Sequence, residues 1–176
     1  MGKYQTIDEY VAAEMGDKIV KKSRSPLLGL LILFAGIGLI VLLCKMPMGD
    51  ILQSVCLTFG MIGAVLGIIL TGMCLTKALG YYVYNPTHSR MKQCKCYLGG
   101  DGYKLCLEAI GSNNFATLGA LQPVTSSNSA LSILYSRDHA VALLQAGRYD
   151  SGQFEPETPV VCLVGTDVTH VQALCR

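Results

Sequence analysis

Charge is what this chain has least of. Asp, Glu, Lys and Arg make up 15% of its 176 residues, against about 25% in an ordinary soluble domain. The shortage is local. Residues 27–44 carry no charge, and neither do residues 51–75. With no Asp, Glu, Lys, Arg or His inside either run, neither offers an ion or proton path, which speaks against a transporter or channel acting alone.

Other absences narrow the function further. There is no phosphate loop, dinucleotide fingerprint, paired-carboxylate site or nucleophile elbow. Asp138-His139 beside Ser136 has the residue types of a catalytic triad, but neighbours on a strand or tight turn point apart. His170 reads as a surface or satisfied histidine. The one Asn-x-Thr, Asn85-Pro86-Thr87, is excluded as a glycosylation site by its proline. No internal repeat is seen. The expectation is a non-enzymatic protein with no cofactor and no evident small-molecule substrate.

What is present is apolar length. A run of about 18 or more hydrophobic residues reads as a membrane span. The two runs, joined by a loop over 45–50 that holds Lys45, Pro47, Gly49 and Asp50, predict a membrane α-helical hairpin of two transmembrane helices. Asp50 stands where it would cap the second helix. A cleaved signal peptide is the rival for the first run. It fits poorly, because 26 residues with four acids precede that run and no small-x-small site follows.

Basic residues gather outside the runs: Lys18, Lys21, Lys22 and Arg24 before the first, Lys77, Arg90, Lys92 and Lys95 after the second. The positive-inside rule then places both termini in the cytoplasm of a multi-pass protein of the bacterial inner (plasma) membrane. Lys21, Lys22, Arg24, Tyr81 and Tyr82 read as anchors at the membrane interface. Five basic residues and one acid lie between Lys77 and Lys104, and anionic lipid accounts for that excess. No aromatic-rich basic groove points to nucleic acid.

The second run holds Gly60, Gly63, Gly67 and Thr71 at helical spacing. Small residues on one face let a partner helix approach closely. The first run, with Gly29, Ala35, Gly36 and Gly38, is the favoured partner; contact between copies is the alternative.

The flanking segments predict further elements. Thr6 and Glu9 form a capping box for an amphipathic helix over 7–22. It lies either on lipid or on the chain's own soluble part. Beyond Asn85-Pro86 a small α+β domain with a mostly antiparallel sheet is expected. Its strands are 92–98, 130–135, 139–149 and 160–164. A segment over 101–110 is read as a helix rather than a hairpin strand, 150–159 as a loop, and a last helix opens at Gly165-Thr166-Asp167. The divisions are 1–26 for the cytosolic N-terminal helix, 27–79 for the hairpin and 80–176 for the cytosolic domain.

The eight cysteines carry the remaining chemistry. Cys94, Cys96, Cys106, Cys162 and Cys175 would be cytosolic and mostly reduced. Cys94-Lys95-Cys96, with Cys106 beyond and His88 before, is the cluster that invites a metal. Zinc favours four converging ligands, usually from two knuckles. A Cys-x-Cys on a strand instead puts both thiols on the apolar face, where they pack as small hydrophobes. The expectation is no bound metal.

In outline the chain resembles small uncharacterised two-span bacterial inner-membrane proteins with a cytosolic α+β domain. Tyr149 and the segment Phe154-Glu155-Pro156-Glu157-Thr158-Pro159-Val160 carry that resemblance. It implies no activity. The function expected is a membrane-held interaction domain, a docking, scaffold or regulatory subunit that binds lipid and another protein or itself. The alternatives are a metal- or thiol-sensing module built on Cys94, Cys96 and Cys106, and an oligomeric pore or accessory transport subunit.

Overall fold

The computed structural model describes residues 4–45, 50–76, 78 and 80–175. The turn expected through Pro47 and Gly49, the cap expected from the Asp50 side chain, and Lys77 lie outside the described residues. The chain forms two compact units, one of Met1–Val20 with Tyr82–Arg176 and one of Lys21–Tyr81.

The first unit opens with α1, Ile7–Glu14, started by the Thr6–Glu9 capping box. The helix expected over 7–22 ends at Glu14, and the chain becomes a strand, β1, at Ile19–Lys22. Gly16-Asp17 breaks the helical run, and the β-branched pair Ile19-Val20 favours a strand.

After the second unit come β2 (Tyr81–Tyr84), β3 (Ser89–Tyr97), α4 (Gly100–Gly111), β4 (Ser129–Ser136), β5 (Val141–Asp150), β6 (Gln153–Pro156), β7 (Val161–Val164) and α5 (Thr166–Gln172). The sheet order is β1-β2-β3-β4-β5-β6, with β7 beside β5. Pairing is antiparallel from β2 through β7. β5 serves two partners along one edge, since Val141–Leu144 faces β7 and Gly147–Asp150 faces β6. Ser151 and Gly152 both have positive φ, 49° and 83°, the two-residue turn that β-hairpins favour.

Strand alternation gives the sheet two apolar faces. Cys96, Leu98, Leu131, Ile133, Ala142 and Leu144 lie in a core with α4 and α5. The intervening Met91, Leu134, Val141 and Leu143 pack with Ile7 and Val11 of α1 and with Met15 just after it. Helices therefore cover both faces, which is why β4 is buried almost end to end instead of alternating with solvent.

The second unit is a pair of apolar helices, α2 (Leu27–Lys45) and α3 (Asp50–Leu75). Here the expectation of a two-span hairpin with a separate following domain is corrected. Among the described residues one helix, Gln53–Leu75, is long and apolar enough to cross a membrane; the apolar part of α2, Leu27–Leu43, is shorter. At about 1.5 Å per residue that part falls short of the ~30 Å hydrocarbon layer. Nor is the sheet a separate module after the helices, because α1 and β1 from the N-terminal side complete it.

Candidate functional site

Three places in the structure carry features beyond packing. The first is the seam between α2 and α3. A Cβ on Gly67 would stand 2.5 Å from the Leu33 amide nitrogen, and one on Gly36 would stand 2.6 Å from the Ala64 nitrogen. On Gly29 it would meet Thr71 Oγ1 at 2.6 Å, and on Gly60 the Ile40 side chain at 2.8 Å. Gly63 is looser, with Gly36 Cα 3.5 Å from its would-be Cβ. Thr71 donates its hydroxyl to the Gly67 carbonyl at 2.7 Å, satisfying that polar group within α3. Gly29, Gly36, Gly60, Gly63, Gly67 and Thr71 are thus brought together on the facing sides of two helices in one chain, whereas Gly38, also named from the sequence, has nothing within 4 Å of its would-be Cβ and lies off the seam. The outer sides carry large exposed apolar groups: Leu28, Leu31 and Phe34 on α2, Ile51, Phe59 and Ile68 on α3.

The residues expected to anchor the chain at an interface sit in strands or beside them. Lys21 and Lys22 belong to β1, Arg24 follows it, and Tyr81 and Tyr82 begin β2. Tyr82 donates its hydroxyl to Asp8 Oδ1 at 2.9 Å. Burial, then that bond to the carboxylate, raises its pKa.

The second place is a sulfur cluster in the core under α4 and α5. Cys94 and Cys96 project from β3, and their sulfurs are 3.7 Å apart. Cys175, in the 3-10 turn Ala173–Cys175 after α5, is joined to Cys94 in a disulfide, so these two are not the reduced thiols expected from the sequence. Cys96 donates its thiol to the Leu174 carbonyl at 3.0 Å. The three sulfurs lie within 4.8 Å of one another. Cys106 of α4 is buried nearby, and burial, with some repulsion from Cys96, pushes its thiol up to about 12. His88 is elsewhere, exposed in the β2–β3 turn with φ 54°.

Neither Cys106 nor His88 joins the cluster, and Cys175, which sequence reasoning left out of it, does. The signal was faint but present. Val168, Val171 and Leu174 form one apolar stripe, so the residue after Leu174 is carried to the edge of the buried face.

The third place is a groove of about 140 Å³ on the opposite face of the sheet, beside the start of α1. Gln93, Lys95, Ser132, Gln145 and Phe154 line it. Gln145 is 1% exposed. Its Nε2 donates to the carbonyls of Gln5 at 2.6 Å and Thr158 at 3.1 Å, which fixes the orientation of the amide. Its Oε1 has no partner among the described residues. Lys95 Nζ donates to the Tyr149 hydroxyl at 2.7 Å, and Phe154 packs edge-on against Tyr149. Nothing in the sequence pattern singled out Gln145, which sits mid-strand between Leu144 and Ala146.

No family model, curated protein or solved structure matches this chain.

Proposed function

We propose that this chain is a membrane-attached, non-enzymatic protein whose sheet unit docks another protein. The observation that carries the reading is the outer surface of the helical pair. Phe34 is 68% exposed and Ile51 84%, and they are two among a row of large apolar side chains on both helices. Single exposed apolar residues are ordinary, whereas a contiguous surface of them calls for lipid or an apolar partner. The basic residues flanking the pair support attachment to an inner (plasma) membrane with the sheet unit on the cytoplasmic side. Sedimentation tests the reading. The protein should pellet with membranes, resist an alkaline carbonate wash and enter solution with detergent. Recovery in the wash supernatant would overturn it.

A further inference from the structure

We propose that the reduced form of the cluster Cys94, Cys96 and Cys175 is a thiolate site for one zinc ion. The inference is independent of membrane attachment. Zinc–thiolate bonds are about 2.3 Å, so two thiolates on one tetrahedral zinc sit roughly 3.8 Å apart. Cys94 and Cys96 already hold their sulfurs at 3.7 Å. The strand imposes this, because residues two apart on β3 share a face, and that face is pinned by pairing of Cys94 with Ile133 and Cys96 with Leu131. The third sulfur comes from the end of the chain, held in place by buried Leu174.

Charge decides which ion. Three thiolates around Zn(II) leave one net negative charge, whereas around Cu(I) they leave two. A buried net charge is costly in proportion to its size, so zinc is the better match for a largely apolar pocket. Cys94 and Cys175 are half-buried rather than sealed, so a water can complete the tetrahedron from their side. Three protein ligands plus a water is an established zinc arrangement.

The disulfide and the metal are alternatives. While Cys94 and Cys175 are bonded, two of the three ligands are absent. A phosphine reductant opens the bond: phosphine, water and disulfide give phosphine oxide and two thiols. Zinc then displaces the thiol protons to solvent.

The test uses the full chain in detergent, metal-stripped and reduced with a phosphine under anaerobic conditions. Co(II), the spectroscopic stand-in for zinc, should bind at one equivalent with thiolate-to-cobalt charge-transfer absorption, and one equivalent of Zn(II) should abolish that absorption. Cys96→Ser and Cys175→Ser should each weaken binding by more than about tenfold, since even partners outside the ligand shell contribute 10–100-fold. Cys106→Ser and Cys162→Ser should bind as the parent does. The oxidised parent should bind no cobalt, a comparison that needs no substitution to fold. Absence of the charge-transfer band in the reduced parent, equal binding by the oxidised form, or full binding by a folded Cys175→Ser would each overturn the proposal.

Discussion

Gly67 lies backbone to backbone against Leu33, so close that a single added carbon would stand 2.5 Å from the Leu33 amide nitrogen. No flexible side-chain end is there to move aside. In lipid or detergent no hydrophobic effect drives apolar helices together, and close approach supplies the dispersion contacts instead.

Gly67→Leu should therefore force the helices apart. Overpacking of this kind costs about 1–3 kcal/mol, read as a lower melting temperature in detergent. Gly72 has nothing within 4 Å of its would-be Cβ, so Gly72→Leu is the control and should melt as the parent does. Equal melting of Gly67→Leu and the parent would mean the seam is absent in solution.

Thr158 bridges the stretch where β5 changes partners. Its Oγ1 accepts from the Ala146 N–H at 3.0 Å, in a buried site between β6 and β7. Thr158→Val keeps the shape and removes the acceptor. The stranded N–H should cost about 1–3 kcal/mol, seen as an earlier midpoint in denaturant with unchanged slope. An unshifted midpoint would show that Ala146 finds another partner.

The cysteines outside the disulfide should differ in reactivity. Cys162 is exposed, although burial of its thiol, partly countered by Lys18, raises its pKa. Cys96 and Cys106 are buried, and burial raises both, Cys106 to about 12. Each of these two is a protonated thiol near neutral pH as well as a hidden one. At pH 7 a maleimide should modify Cys162 more than about tenfold faster than Cys106, with the sites resolved by mass spectrometry. Comparable rates would mean that α4 opens readily.

Asp138 gives a pH dependence. Desolvation, the largest single effect on it, raises its pKa. Hydrogen bonds from Thr87, Ser136, the Ala140 backbone and Ser89 outweigh it and bring the pKa from 3.8 down to about 2. A lowered folded-state value means that the unfolded chain takes up the proton first, so this contribution is complete above pH 3.8 and lost as pH falls toward 2. The residue is largely exposed, so solvent screening keeps the effect small. Asp138→Asn should flatten the acid limb of the stability profile between those values and leave the profile's shape near pH 7 unchanged. A parent-like acid limb in the variant would assign that slope to other carboxylates.

The apolar runs and the glycines of the seam were legible in the sequence because helical spacing and absence of charge are local properties. The Thr6 capping box was legible for the same reason. The sheet was harder. Tyr81–Tyr84 read as an interface anchor because it follows an apolar run, yet aromatic and β-branched residues also favour strands, and β3 provides the partner. Gln153–Pro156 read as loop because it is short and ends in proline; pairing with Gly147–Asp150 makes it a strand. The site depends on the same long-range information. Cys175 reaches Cys94 across 81 residues of sequence, and no local pattern records that meeting. Gln145 looks like any polar residue in a strand until the carbonyls of Gln5 and Thr158 are placed around it.

That α1 and β1 complete a sheet begun by residues far downstream has a consequence for synthesis. The N-terminal segment leaves the ribosome first, but its apolar face, Ile7, Val11, Met15 and Ile19, has no surface to cover until Met91, Leu134, Val141 and Leu143 have been made. During that interval the apolar helices between them can already pack on each other, since α2 and α3 are translated back to back. The N-terminal segment therefore reaches its place only after β5 has been made. A nascent chain arrested before β5 should leave α1 open to protease, and one arrested after β7 should protect it.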